Sequence, residues 1–544
     1  MNITIDSKLI YALIGGLLFN FLFWNEELAF NLVIYSLFTL SIYLIDHKLF
    51  ESKKLFVVSL SHVLACAFIL INHSVLTILT WYTSLLVLVG YTHTNELRSI
   101  FMAVAASFLQ FASAPFILIR KISTTQIAGL SFKPVLKLIK YLIIPSVILI
   151  VFSVIYSTAN PFFDSYITTG FRNLGDLINT IFSFFFKDIS IGRIAFLAGG
   201  IVFSTGVLMA NKNKLAIMES VYQDNLLRVR RDRKKQSNWR EISTLISGNL
   251  INRKMALKTE NTIAILSFMG LNLLLLFLNS IDISTLWMGN LGSLNFSKAL
   301  HGSTNALIVS ILMAMAVILY FFNGNLNYYS KNKTIRLLAY LWIIQNTFLI
   351  FSVLLRDYHY IAMHGLTYKR IGVIVFSVLC VIGLLTVYLK VANRKSFFFL
   401  FKTNGAIWYV LLLLSGAVNW DVFIVGYNIN HRNSATLDVG YLMRLSDKTL
   451  PKVIEDKELL KRYLSPTNSP YQYVTKGSTD TTAMKKLVID STEIKRQIRQ
   501  SLAQTFELDL AKRIVNFKEN QQKRTWLSWN YRDWQTEQYL NELK

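Results

Sequence analysis

The sequence predicts an all-α fold: a polytopic transmembrane helical bundle of about eleven spans, with twelve as the alternative, carrying a C-terminal soluble, mainly helical domain. Three observations predict it. Long apolar runs recur from Leu9 to about Gly426, and the chain then turns polar, charged and rich in tryptophan. Hydrophobic residues make up 53% of the 544, and charged residues only 16%. Such a composition suits a chain solvated by lipid rather than water. The third observation is the placement of the net charge of +25, which clusters between the apolar runs. The expected division is therefore a membrane domain over 1–426, with a basic loop at 211–260, and a helical tail over 427–544.

The first run, Leu9–Trp24, lacks a small-x-small cleavage site and is followed by Asn25-Glu26-Glu27, so it reads as an uncleaved signal-anchor. Further spans follow at about 28–45, 55–72, 75–91, 138–157, 194–210, 261–281, 304–323, 337–355, 371–389 and 405–425. The stretch 100–119 is weaker: Gln110, Ser113 and Pro115 interrupt it, and it reads as a span or as an interfacial helix. Cys66 and Cys380 both lie inside apolar runs and read as packing residues.

Sidedness follows from lysine and arginine. The loop 211–260 is strongly basic and is expected in the cytoplasm. Alternation then brings Lys331, Lys333 and Arg336, and Lys390, Arg394, Lys395 and Lys402, to the same side. Lys48, Lys53 and Lys54 join them only if 100–119 does not cross, which favours eleven spans with the N-terminus inside and the tail outside.

That topology collects four segments on the outer face. The first is Asn160-Pro161 with Asp164, a turn that terminates a span. The second is the loop 282–303, with Trp287, Gly289, Gly292 and His301-Gly302. The third runs from Arg356, Asp357 and His359 to His364, Lys369 and Arg370. It reads first as a tyrosine-rich interfacial belt and second as an anion or headgroup site formed by Arg356, Lys369 and Arg370. Two histidines five apart share no helical face, so no metal is expected. The fourth holds Asn419, Asp421, Asn428, Arg432 and Asp438. A carboxylate at the end of a span needs a partner, and Asp421 is expected to face Arg356, Lys369 or Arg370.

Within the spans the polar groups are few: Asn20, Asn31, His62, Asn272, Gln345 and Asn346. They read as interhelical glue rather than as an ion pathway. Partners expected from the pattern are the lipid bilayer and its anionic headgroups at Arg228, Arg230, Arg231, Arg233, Lys234 and Lys235. No aromatic interleaving accompanies that run, so nucleic acid is not expected. In the tail, Leu437, Tyr441, Leu442 and Leu445 fall at helical spacing, and Asp447 with Pro451 marks a turn or helix start. Asp490 with Glu493 suggests a capping box, followed by the stripe Ile494, Ile498, Leu502 and Phe506. Trp526, Trp529, Tyr531 and Trp534 read first as packing the helices, with a place on the membrane or against a partner as the alternatives. No catalytic or cofactor-binding motif occurs, and no cofactor is expected.

The elements Ala159-Asn160-Pro161-Phe162, Gly365-Leu366-Thr367-Tyr368-Lys369-Arg370 and Tyr427-Asn428 through Leu445-Ser446 resemble those of bacterial membrane proteins carrying domain of unknown function 4173, with the neighbouring family 4153 as the alternative. The likeness extends over most of the chain from about residue 140. It implies a bacterial inner membrane and a periplasmic tail, and it brings no catalytic role. The function expected is that of a scaffold, regulator or partner in a cell-envelope process. A transporter or flippase of an anionic amphiphile is the second reading, and a membrane-embedded transferase using Asp164, Asp357 or Asp421 with His359 or His364 is the third.

Overall fold

The computed structural model describes residues 7–46, 52–124, 151–158, 160–185, 190–209, 215–226, 257–288, 296–322, 325–431, 437–464 and 491–543, with Pro145, Ile148 and Leu149. Among these residues every extended element is a helix. Eight helices are long and apolar enough to cross a bilayer, and α1 (Ser7–Phe23), α2 (Phe30–Ile45) and 307–321 are shorter apolar helices. The chain is thus a multi-pass membrane protein. The expected span at 138–157, most of the basic loop including Arg228–Lys235, Arg432, and the Asp490 end of the capping box lie outside the described residues.

The chain forms two compact units, and neither ends at 426/427. The first comprises Met1–Glu219, Leu412–Ala417 and Asn520–Gln535; the second comprises Ser220–Leu411, Val418–Glu519 and Thr536–Lys544.

In the first unit, α1 and α2 are followed by α3 (Lys53–Asn72), α4 (Val75–His93), α5 (Ile100–Thr124), α6 (Pro161–Phe185), α7 (Ile191–Leu208) and α8 (Leu215–Ser220). Small residues let α1 and α7 touch: a Cβ on Gly16 would lie 2.8 Å from the Ile201 Cα. The buried polar groups bind across helices, as lipid-solvated helices require. His62 of α3 bonds Ser84 of α4 at 2.8 Å and Ser36 of α2 at 3.1 Å, and Trp81 donates to Ser36 at 2.8 Å. Tyr43 donates to the Val207 carbonyl at 2.6 Å.

Helix α5 draws its partners from α4, α7 and α1. A Cβ on Gly90 would meet the Ala103 carbonyl, Phe111 stacks on Phe203 at 5.2 Å, and Ile117, Leu118 and Ile122 pack against Leu9, Ala12 and Met209. Asn160 caps α6, accepting from the Phe162 N–H at 2.9 Å, with Pro161 opening the helix.

In the second unit, α9 (Leu257–Asp282) runs on through a π turn to Trp287. Helices α10 (Phe296–Phe321), α11 (Lys333–His364), α12 (Tyr368–Ala392) and α13 (Phe397–Gly416) follow. A ladder of amides joins α9 to α11: Gln345 donates to Asn272 at 2.9 Å, Asn272 to the Leu338 carbonyl at 3.0 Å, and Asn279 to the Gln345 carbonyl at 3.2 Å. Lys390, expected in an interhelix loop, lies instead in α12 and donates to the Phe322 carbonyl at 2.6 Å.

The tail adds α14 (Trp420–Asn430), α15 (Val439–Leu442), α16 (Leu450–Glu455), α17 (Lys457–Arg462), α18 (Ser491–Lys523) and α19 (Tyr531–Glu542). It does not stand apart from the spans of this unit. One apolar core joins Ile361 and Ile371 of α11 and α12 to Ile424, Ile429, Leu442, Val453, Phe506, Leu510 and Phe517. Phe506 of the expected stripe is among its buried members.

Candidate functional site

The densest polar cluster of the second unit forms where α11 ends, α12 begins and α14 packs beside them. Helix α11 stops after His364 because Gly365 takes φ +76°, a conformation that favours glycine. The end of a helix leaves carbonyls without partners. Arg370, in the second turn of α12, supplies them: Nη1 donates to the His364 carbonyl at 3.0 Å and to the Gly365 carbonyl. Its guanidinium lies 4.5 Å from the centre of the Tyr360 ring, and that ring stacks on His364 at 4.6 Å. Arg370 is also the charge acting on Asp357, a buried carboxylate whose Oδ2 has no hydrogen-bond partner among the described residues.

Asn428 closes the cluster from α14. Its Oδ1 accepts from the Leu366 N–H, and its Nδ2 donates to the Leu366 carbonyl at 2.9 Å. Both residues are buried, so this pair of bonds serves backbone groups that water cannot reach. Tyr368 donates its hydroxyl to Asp421 at 2.7 Å, and its N–H to the Tyr441 hydroxyl at 3.2 Å. Burial pushes the Tyr441 phenol above its ordinary range, which keeps it a neutral hydroxyl. Asn419 caps α14 by accepting from the Val422 N–H at 3.3 Å, and Asp438 caps α15 by accepting from the Tyr441 N–H at 3.0 Å.

The expected ion pairs of Asp421 are not the ones formed. Asp421 is hydrogen-bonded to Tyr368, and Arg356 pairs with Asp282. Asp282, which follows directly on the apolar run 261–281, is a functional partner that the sequence marks only by its place at a span end, as it does Asp421. His359 sits edge-on to Tyr358 at 5.8 Å, and Lys369 is exposed. Asn160 and the exposed Asp164 belong to the first unit. Among the described residues no three His, Cys, Asp or Glu side chains gather as a metal site.

Chemically, the cluster binds its own backbone. Of the three basic residues that an anion-capture site needs, Arg356 is ion-paired and Arg370 holds two carbonyls. A family model described as Domain of unknown function (DUF4153) matches residues 55–455, which include every member of this cluster. No curated protein and no solved structure matches the chain.

Proposed function

The chain belongs to the DUF4153 family, named above as the neighbour of family 4173, and from that premise we propose that it is a non-enzymatic membrane scaffold or regulator of a cell-envelope process. It carries a helical platform built onto the outer ends of its spans. One observation carries the reading: the core that joins Ile361 and Ile371 of the spans to Phe506 and Leu510 of the tail, locked by the Asn428–Leu366 bonds. A platform so joined moves with its spans, so a partner bound outside is felt within the membrane.

The proposed setting is a bacterial cytoplasmic (inner) membrane, with eleven spans and the tail outside. Charge grouping supports it. In the first unit, Lys8 with Asp46, Lys54 at the Asn95 and Leu97 carbonyls, and Arg98 with Glu219 mark one end of the helices, and Glu26, Glu27 and His73 mark the other. Helix α5 is long and apolar enough to cross, but its C-terminal part, at Ile117, Leu118 and Ile122, returns to Leu9, Ala12 and Met209 at the end where Ala103 meets Gly90, which supports a helix that does not cross. In the second unit, Lys402 with Asp224 and Arg336 at the Ala392 carbonyl share one end, while Asp282 with Arg356 lies at the other.

Two measurements test this. Alkaline phosphatase fused after Asn430 should be active, and an inactive fusion refutes the outward tail. In a strain lacking the protein and sensitised to detergent, Asp357→Asn, His359→Ala and His364→Ala should restore resistance, and a chain ending at Gly426 should not. Failure of an abundant, neutralised variant would instead mark a reaction or transport step.

A further inference from the structure

The C-terminal segment around Trp526 belongs to the first unit and is bolted to the turn between α1 and α2. Arg524 pairs with Glu27 at 2.6 Å and with Asp533 at 2.7 Å. The Thr525 and Ser528 hydroxyls bond Glu26 at 2.6 and 3.0 Å, and the Glu27 N–H donates to Ser528 Oγ at 3.0 Å. Leu527 is buried with Leu22 and Tyr35 of the two helices. These bonds fix the segment at the level where α1 ends and α2 begins.

The tryptophans take only a partial share in that packing. Trp526 is 60% exposed, Trp534 42% and Trp529 39%, with Tyr531 beside them at 40%. The expected packing is therefore met in part: Leu527 and Ser528 are buried, while the aromatic rings keep a large exposed face. Trp526 touches Phe30, the first residue of α2, edge to face at 6.1 Å. Trp526 thus stands at the start of α2, and Leu17 and Phe21 of α1 and Leu37 of α2 are likewise exposed apolar residues.

Exposed rings held at the ends of two apolar helices, one of them against Phe30, point to lipid as what covers them. We propose that the Trp526–Trp534 turn is an interfacial anchor, with its indoles seated in the lipid headgroup layer. The end of the chain is then a membrane-bound clamp on the first two helices. An indole suits this place because its ring is apolar while its N–H meets lipid carbonyls and phosphates. The proposal rests on the reading that α1 and α2 span the bilayer, and the experiment separates the two.

The full chain, with Cys66→Ala and Cys380→Ala, is reconstituted in phosphatidylethanolamine–phosphatidylglycerol vesicles and spin-labelled at Trp526→Cys or at Phe21→Cys. Collisions with oxygen and with a water-soluble nickel chelate are then compared. The anchor predicts an oxygen-to-nickel collision ratio several-fold above that of free label at both positions. A nickel-accessible label at 526 with an oxygen-accessible label at 21 overturns the anchor and leaves the spans standing. Nickel access at 21 overturns the span reading itself. A label at 526 shielded from both reagents means that protein covers the rings, and it too overturns the anchor. The triple variant Trp526→Phe, Trp529→Phe, Trp534→Phe gives a second readout without labelling: quenching of tryptophan emission by brominated lipid should fall relative to the natural chain. Unchanged quenching counts against the anchor.

Discussion

Replacing Asn428 by alanine strikes the joint between spans and platform directly. The wild-type carboxamide satisfies both backbone groups of Leu366, a residue 4% exposed. Alanine offers neither donor nor acceptor, and the site admits no bulk water. Each buried backbone group left without a partner costs about 1–3 kcal/mol, so the pair costs about 2–6 kcal/mol. The loss falls on the opening of the platform from α11 and α12, not on the spans beyond. Hydrogen–deuterium exchange of the full chain in nanodiscs reads it. At about 1.4 kcal/mol per tenfold, amides over 437–460 should exchange from roughly thirty-fold to roughly twenty-thousand-fold faster, with α3 and α4 unchanged. Gly365→Ala provides a cross-check. Its Cβ would stand 2.7 Å from Asn428 Oδ1 on a backbone at φ +76°, so it both strains the chain and displaces the clamp. The double variant should therefore be less damaged than the sum of the single ones, by about 1–3 kcal/mol. Wild-type exchange in Asn428→Ala, or strict additivity with Gly365→Ala, would refute the clamp.

Two further outcomes follow from the packing. Asp282→Ala leaves Arg356 largely buried without its carboxylate and should cost about 3–5 kcal/mol; Asp282→Ala combined with Arg356→Met should recover most of that in thermal unfolding of the detergent-solubilised protein. Gly90→Val forces side-chain atoms into the Ala103 carbonyl and should destabilise by about 1–3 kcal/mol or more, whereas Gly199→Ala, with open space around its Cβ, should leave the melting temperature unchanged or raise it.

Most of the membrane domain was legible because lipid imposes a long-range constraint that a linear reading can see. A helix that crosses must be apolar over its whole length, so α3, α4, α11, α12 and α13 announce themselves. The reading of Asn160-Pro161 as a turn also matches, since Asn160 caps a helix that Pro161 opens. Asp447 and Pro451 likewise mark a short turn and the start of α16. Helix α6 has no counterpart among the expected spans, because Asp164, Arg172, Asn173 and Asp176 break its apolar run into one face of an amphipathic helix. Partners were not legible. Asp282 and Arg356 lie 74 residues apart, and their meeting depends on the register of α9 against α11, which no local pattern encodes.

The same distinction explains why the polar cluster looked like a binding site in sequence and is a joint in space. A span that ends at the membrane surface exposes unpaired carbonyls, and the span that follows exposes unpaired N–H groups. Where water meets such ends they need nothing further. Here a helical platform covers them, and side chains must replace the water. Arg370 serves the last carbonyls around His364 and Gly365, Asn428 serves Leu366, and the Tyr441 hydroxyl accepts the first N–H of α12 from Tyr368. Aromatic and charged residues gather between two spans for that reason. The residues that resemble a capture site are the ones needed to let a core grow out of a membrane without leaving a buried polar group unpaired. Asp357 Oδ2 and Asn419 Nδ2 are exceptions among the described residues.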